Sequence, residues 1–296
     1  MAVNSIRPAA VAGSWYPGTA RALAREVDAY VDAIESPDAI PRGELHAVMA
    51  PHAGLMFSGP VGAYAYKAAA AAAPFEAAIL VGPSHFVAFE GVALYPSGAF
   101  DCPLGAAPID ESLGSDLLAA APVVQSLPQA HRREHSLEMQ LPFLRRLLPG
   151  VPIVPLLMGY QTIDTIHALA AALAGVRPDR RVLLVASTDL SHYFDARTAE
   201  SLDRRVQDAV SAFDPESFLR IFEQYPEAER GRFVACGGGP AIAVMLAARA
   251  RGARQGRALK YMHSGMISGD MSGVVGYLAG AFGNFRPRDS GNQNVH

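Results

Sequence analysis

Three apolar segments of the chain each end in a turn that carries a histidine. The turn residues are His52, His85 and the pair Asp189 and His192. Ligands of an open α/β sheet bind beyond the carboxyl ends of its strands. Because imidazole is both a metal ligand and an acid–base group near neutral pH, the pattern predicts a functional site at that edge. The alternative is that each histidine is structural, which explains one such turn more readily than three.

His52 and His85 both follow a turn that contains proline. Proline restricts the backbone, and this fixes the direction of the side chain that follows. A metal ligand benefits from such rigidity because coordination distances tolerate only small errors. The alternative, that the prolines merely end strands, does not explain the repeated histidine.

Cys236 lies in the glycine-rich segment FVACGGGP at 233–240, just before a predicted helix. A helix N-terminus lowers the pKa of a thiol, so Cys236 is a candidate metal ligand or thiolate nucleophile. A buried, inert cysteine is the alternative. Cys102, the other of the two cysteines, has no comparable surroundings and is expected to be structural.

Two further pairs of polar residues lie three positions apart. His135 and Glu138 would share one face of a helix, where they could bind metal or relay a proton, although such a pair is as often a solvated face. Asp189 stands at the same spacing before His192, and its carboxylate could orient or charge that imidazole to prepare a general base.

Short apolar runs alternating with amphipathic stretches position these residues and predict a layered α/β fold. The absence of a dividing linker favours one domain over residues 6–285, followed by a polar tail at 286–296. The predicted strands cover 45–50, 77–81, 151–158, 181–186 and 273–279. The predicted helices cover 19–34, 162–175, 197–213 and 240–250.

The composition excludes several classes of protein. The chain has 296 residues, half of them apolar, and a formal charge of −3, which gives no reason to expect nucleic acid or an anionic membrane as partner. Neither a signal peptide nor a spanning segment is predicted, and two cysteines indicate reduced thiols, so we expect a cytoplasmic protein. P-loop, dinucleotide-binding and nucleophile-elbow motifs are missing or weak.

Seven motifs in the chain together resemble those of the Memo family. They fall in the same order as in the family and cover nearly the whole chain. The motifs are GSWYP (13–17), APHAG (50–54), GPSH (82–85), EHSLEMQLP (134–142), STDLSHY (187–193), ACG (235–237) and VVGY (274–277).

The resemblance implies a fold and a set of site residues. The Memo family is similar in fold to the class III extradiol ring-cleavage dioxygenases, which use non-haem iron(II), so it implies a single-domain αβα sandwich around a largely parallel or mixed sheet. His52, His85 and Cys236 match the family's proposed metal ligands. His192 matches the acid–base histidine of the dioxygenases, with Asp189 beside it, and the motif of His135 and Glu138 is expected to line the substrate pocket.

A cysteine in the ligand set departs from the two histidines and one carboxylate of the dioxygenases. Thiolate favours zinc, copper(I) or thiolate-bound iron, and this weakens the expectation of ring cleavage. We expect a divalent metal, with iron(II) favoured and copper or zinc as alternatives. The function is then a redox or oxygenase enzyme acting on a small chelating substrate, or a non-catalytic adaptor that binds a small molecule or peptide in the same cleft. A thiol hydrolase that uses Cys236 with His192 as base is a third hypothesis, and a homo-oligomer remains open.

Overall fold

A computed structural model describes residues 6–287 of the chain. Most of the predicted polar tail, from residue 288 onward, therefore lies outside the described residues. The strands of the described part are β1 (Ile6–Arg7), β2 (Gly43–Ala50), β3 (Ala77–Pro83), β4 (Val92–Leu94), β5 (Ala99–Phe100), β6 (Ala107–Pro108), β7 (Val124–Ser126), β8 (Ile153–Met158), β9 (Val182–Ser187), β10 (His192–Phe194), β11 (Gln255–His263) and β12 (Val274–Phe285). Its helices are α1 (Ala20–Asp32), α2 (Leu55–Ala72), α3 (Glu111–Ala120), α4 (Pro128–His131), α5 (Leu141–Leu147), α6 (Ile163–Gly175), α7 (Ala196–Ala212), α8 (Pro215–Glu223), α9 (Glu227–Phe233), α10 (Gly238–Ala250) and α11 (Gly265–Ser268).

The main sheet is mixed, with a parallel centre. Its strands follow the order β10-β12-β2-β9-β3-β8-β4-β7, and β11 pairs with β12. The central strands β2, β9, β3 and β8 are mutually parallel, whereas β12 and β4 join them antiparallel. The carboxyl ends of the four central strands therefore lie at one edge of the sheet.

Helices cover both faces of the sheet, which gives the molecule two apolar cores. Alternate residues of each central strand enter opposite cores: in β3, Ile79 belongs to the core beneath α6 and α10, and Leu80 to the core beneath α1, α2 and α5. Every residue of β3, β8 and β9 is buried, as expected for parallel strands covered on both sides. The predicted α/β sandwich is confirmed.

All nine predicted elements are present, and their ends differ by small, explicable amounts. Thr19 and Thr162 are N-caps rather than helical residues, because their side chains accept hydrogen bonds from backbone N–H groups of the first turns. Phe213 ends α7 in the left-handed conformation. The last strand is the main exception: it continues six residues beyond the predicted end, to Phe285, because it pairs with both β2 and β11.

Helix α2 was not predicted from the sequence. It is rich in alanine and glycine, contains Pro60, and has no clear amphipathic stripe because much of it is buried. Gly59 lies in its second turn, where a Cβ atom would come within 2.4 Å of the Tyr30 ring. The residues that weaken the helical signal thus permit the close packing of α1 on α2.

No single helix among residues 6–287 is long and apolar enough to cross a membrane. The consecutive helices α9 and α10 pass that test only as a pair, on length and composition, and they are bent by 80° relative to each other.

Candidate metal centre

His52, His85 and Cys236 come together at the carboxyl edge of the central strands. His52 follows β2, His85 follows β3, and these strands flank β9 in the sheet. One ligand atom from each of the three side chains lies within 4.8 Å of the other two. The Cys236 Sγ atom is 3.2 Å from His52 Nε2. The ligand atoms of three side chains that are distant in sequence therefore lie close together in space.

A chain of hydrogen bonds fixes the tautomer of His52. The Ser187 hydroxyl donates its one proton to the Ser136 carbonyl (2.6 Å) and accepts from the Gln140 amide (2.7 Å). Gln140 Nε2 also donates to the Pro51 carbonyl, which establishes the orientation of the amide. Ser187 Oγ can therefore only accept from His52 Nδ1, at 2.9 Å. The proton of His52 is on Nδ1, and the Nε2 lone pair faces Cys236.

Glu134 fixes the tautomer of His85 in the way that Ser187 fixes the tautomer of His52. Its carboxylate accepts hydrogen bonds from His85 Nδ1 (2.9 Å) and from the His85 backbone N–H (2.6 Å). The same carboxylate accepts from the backbone N–H groups of His135 and Ser136. Burial raises the pKa of Glu134, but the bonds from His85 and these amides outweigh it and lower the pKa to about 2. A carboxylate on Nδ1 leaves Nε2 of His85 for the cluster.

Cys236 immediately precedes the N-cap of α10, and its backbone is held on both sides. Its carbonyl accepts from Gln161 Nε2 at 2.6 Å, and the next residue, Gly237, donates to Thr188 Oγ1 at 2.9 Å. Burial raises the pKa of the thiol, but the positive charge that the neighbouring imidazoles of His52 and His85 share lowers it more strongly, to about 6. Cys236 is therefore a thiolate at neutral pH.

The same electrostatics act on the two histidines. Burial lowers the pKa of His52, so this ring is neutral. Burial also lowers the pKa of His85, but its hydrogen bonds to Cys236 and Glu134 raise it to about 10. Without a cation, Cys236 and His85 thus form a thiolate–imidazolium pair. A metal ion would displace the proton on His85 Nε2.

An open cavity of about 480 Å³ lies directly over the cluster. The Trp15 and His135 rings, 4.4 Å apart between centroids, form part of one wall. Burial lowers the pKa of His135 to about 4, so that ring is neutral. The residues that line the cavity are Trp15, His52, Ala53, His85, His135, Asp189, His192, Tyr193, Gly231, Arg232, Cys236 and Val275.

His192 and Asp189 also line this cavity, but no hydrogen bond joins their side chains among the described residues. The Asp189 carboxylate accepts hydrogen bonds from the backbone N–H groups of His52 (2.7 Å) and Ala53 (3.3 Å). His192 Nδ1 is buried and has no hydrogen-bond partner among the described residues. Asp189 therefore supports the turn of His52, and burial raises the pKa of its carboxyl group.

Glu138 is not among the residues that line this cavity, and its expected place in a substrate pocket stays a prediction. Its side chain is fully buried and accepts hydrogen bonds from Arg7 Nη1 and from the Tyr16 hydroxyl. The sequence spacing of His135 and Glu138 assumed a helix, but the helical turn begins only at Glu138. His135 faces the cavity and Glu138 faces the N-terminal segment.

Sequence reasoning did not assign the groups that orient the two histidines. Glu134, Gln140 and Ser187 lie inside motifs that the resemblance covers, but their partners are 47 to 135 residues away. Arg232, in the cavity wall, was also missed because it stands in a polar helix with no local signal.

The described donor set fits one transition-metal ion. Two imidazole nitrogens and a cysteine sulfur close to one another make a ligand set typical of zinc, copper or iron. The cavity above the cluster leaves room for a further ligand, as in catalytic rather than structural sites. Fold and site define the class: an αβα sandwich with a candidate mononuclear metal centre at the carboxyl edge of its parallel strands.

The chain belongs to the Memo-like family, whose family model, "Memo-like protein", matches residues 7–281. A MEMO1 family protein of Methanopyrus kandleri is 35% identical over 284 residues, covering 93% of this chain and 98% of that protein. One from Methanobrevibacter smithii is 34% identical over 287 residues, covering 94% and 99%.

A solved structure supports the fold. The crystal structure of an uncharacterized protein from Escherichia coli K12 has a TM-score of 0.60 to this chain. The likeness covers 81% of this chain and all of that one, at 16% sequence identity. Identity at this level supports the shared fold alone.

Proposed function

We propose that His52, His85 and Cys236 hold one divalent metal ion, with iron(II) favoured over copper and zinc, and that the protein oxidises a small chelating substrate with dioxygen. The observation that carries this proposal is the convergence of two imidazole nitrogens and the Cys236 sulfur beneath an open cavity. Bound iron(II) would supply open coordination positions for the substrate and for dioxygen, which serves as oxidant and oxygen source.

The chain's own residues bind the substrate and move its protons. His192 lines the cavity and is the candidate to accept a proton from a substrate hydroxyl and return it. Trp15 supplies an apolar wall against which a planar substrate can stack.

Arg232 gives the cavity a preference for anionic substrates. Its guanidinium stacks 4.9 Å from the ring centroid of Phe194 and 5.7 Å from that of Phe233. Arg232 forms no ion pair with any acidic side chain of residues 6–287. A cation held by aromatic rings and left without a counter-ion at a cavity wall favours a substrate carboxylate or a similar anion.

Metal analysis of purified protein tests the metal centre. We expect about one equivalent of metal in the wild type, and loss of most of it in His52→Ala and Cys236→Ser. Cys102→Ser is the matched control, because that thiol is buried elsewhere and burial raises its pKa to about 11. Wild-type metal content in both site variants would refute the metal assignment.

A second candidate function is a non-catalytic adaptor that binds a small molecule or peptide in the same cavity. The observation that favours it is the exposed aromatic surface around the mouth, where Tyr193 is 70% exposed and Trp15 38%. Oxygen uptake with catechol-like substrates separates the two functions. Sustained uptake that is lost in His192→Ala supports the enzyme, and binding without uptake supports the adaptor.

The chemistry of the site also bears on its compartment. A free thiolate ligand needs a reducing environment, so we propose that the protein acts in the cytoplasm. Fractionation of cells, with a compartment marker on each side, tests this location.

A further inference from the structure

One loop carries the groups that orient both histidine ligands. We name residues 131–140 the bracing loop. Glu134, within it, holds His85 at Nδ1, and Gln140, at its end, holds His52 through Ser187. A displacement of this loop would therefore disturb both imidazoles at once.

Arg7, in the N-terminal strand β1, binds the bracing loop through hydrogen bonds from its guanidinium group. Its guanidinium donates to the carbonyls of His131 (2.6 Å) and Glu134 and to the carboxylate of Glu138 (2.6 Å). The side chain is 2% exposed and lies over the Phe100 ring, 4.7 Å from its centroid. These bonds reach three separate points along the loop.

Glu138, within the bracing loop, binds the loop to the N-terminal segment of the chain. Its Oε2 atom accepts from Arg7 and from the Ala10 backbone N–H at 2.8 Å. Its Oε1 atom accepts from the Val11 backbone N–H at 3.0 Å and from the Tyr16 hydroxyl at 2.8 Å. The carboxylate thus joins the bracing loop to the segment that leads into Trp15 and the cavity wall.

We propose that Arg7 and Glu138 are positioning residues of the metal centre, which act through the bracing loop on the rings of His52 and His85. This inference rests on the proposed function, since it concerns the same ligands. Neither residue lines the cavity, so both act at a distance from any substrate. Both residues also bond buried backbone groups, so their substitution is expected to affect stability as well as positioning, and the test has to separate the two effects.

The variant Glu138→Gln in the full chain tests this role with two readouts. The first is ¹⁵N NMR of the metal-free protein, which reports the tautomer of His52 without any metal. We expect the single Nδ1–H tautomer of the wild type to become a mixture. The second is titration with cobalt(II), whose thiolate charge-transfer band reports binding. We expect the Kd for cobalt(II) to rise roughly 10- to 100-fold, as for other groups that orient metal ligands.

A second variant separates positioning from stability. Arg7→Lys keeps the positive charge beside Glu138 but loses the fork of donors that reaches the carbonyls of His131 and Glu134, so we expect a small loss of thermal stability while the tautomer mixture and the weak cobalt(II) binding persist. If Glu138→Gln does not fold, Arg7→Lys carries the test. Asp28→Asn is the matched control, because it removes an exposed ion pair with Arg146, and both readouts should stay at wild-type values.

The outcomes distinguish this inference from the proposed function. A His52 tautomer and a cobalt(II) Kd that both match the wild type in the folded variants would overturn the positioning role. If the wild type binds no cobalt(II), the proposed function fails, and a tautomer mixture in the variants still supports the bracing loop.

Discussion

At the scale of single residues, neighbouring side chains determine which atoms of the candidate site carry protons. Ser187 places a proton on Nδ1 of His52, and Glu134 does the same for His85. Cys236 loses its proton above a pKa of about 6, whereas His85 keeps its second proton up to about 10. The metal-free site therefore holds one exchangeable proton across the whole neutral range.

This difference in pKa predicts how metal binding depends on pH. Between about pH 6 and 10, each metal ion must displace one proton, from His85, so affinity should rise about tenfold per pH unit. Below about pH 6 the Cys236 thiol is also protonated, and two protons should be released. Calorimetric titration with zinc(II) in buffers of different ionisation enthalpy measures the number of protons released per metal ion bound. Cys102→Ser should give the same number, and zero protons released at pH 8 would contradict the assigned charges.

Arg232 predicts discrimination between charged and neutral substrates. In Arg232→Met, binding of 3,4-dihydroxybenzoate should weaken about fivefold, since an exposed charge pair contributes about 1 kcal/mol. Binding of catechol, which lacks the carboxylate, should not change. Arg220→Met, on α8 away from the cavity, serves as control. Equal weakening for both compounds would show that Arg232 shapes the cavity without selecting charge.

The sequence identifies the three candidate ligands because each has a strong local signal. His52 and His85 follow proline turns, and Cys236 stands before a run of glycines. The groups that orient these ligands have no such signal. Glu134 is separated from its partner His85 by 49 residues, so only the fold reveals the contact.

At the scale of secondary-structure elements, the site depends on how closely α10 approaches the end of β9. A Cβ atom on Gly237 would come within 2.4 Å of the Ser187 carbonyl and 2.9 Å of Thr188 Cβ. Glycine is therefore required by space at this position. The contact sets the distance between Cys236, one residue earlier, and the histidines beyond the neighbouring strands.

The variant Gly237→Ala should push the start of α10 away from β9. We expect a loss of about 1–3 kcal/mol in the free energy of unfolding, as for overpacked cores, and at least tenfold weaker cobalt(II) binding. Gly175→Ala, at the end of α6, is the matched control, because a Cβ there meets nothing within 4 Å. Urea unfolding and cobalt(II) titration measure the two effects. Unchanged metal affinity in Gly237→Ala would mean that Cys236 is positioned by other contacts.

Element prediction from the sequence succeeds where one physical signal dominates. The four central strands are continuous apolar runs, and α1 and α7 are amphipathic, so their patterns are unambiguous. The pairing of β12 with strands on both sides is a long-range property and left its length undetermined. The buried helix α2 lacks the amphipathic pattern on which such predictions depend.

At the scale of the whole molecule, one sheet unites two cores. Each central strand contributes residues to both faces, so loss of the sheet would remove both cores. This agrees with the prediction of one domain over residues 6–285, which remains a prediction. The metal candidates lie at the edge where both cores meet the central strands.

The shared sheet predicts cooperative unfolding. Far-UV and near-UV circular dichroism should follow one coincident thermal transition, because loss of the sheet removes both cores. Saturation with zinc(II) at about 100 times its Kd should add about 2.7 kcal/mol to the free energy of unfolding, and a chelator should reverse this gain. His52→Ala should show the same single transition without the gain. Two separate transitions in the metal-free wild type would contradict a single domain.

The position of Trp15 has a practical consequence. It is the only tryptophan of the chain, it lies 4.4 Å from the His135 ring, and it lines the cavity over the cluster. Its indole is therefore a built-in optical probe of the cavity. Light emitted by this one chromophore should be quenched when a paramagnetic ion or an absorbing ligand occupies the neighbouring space. Occupancy of the site can thus be followed in the unlabelled protein, with no dye attached and no background from other indoles.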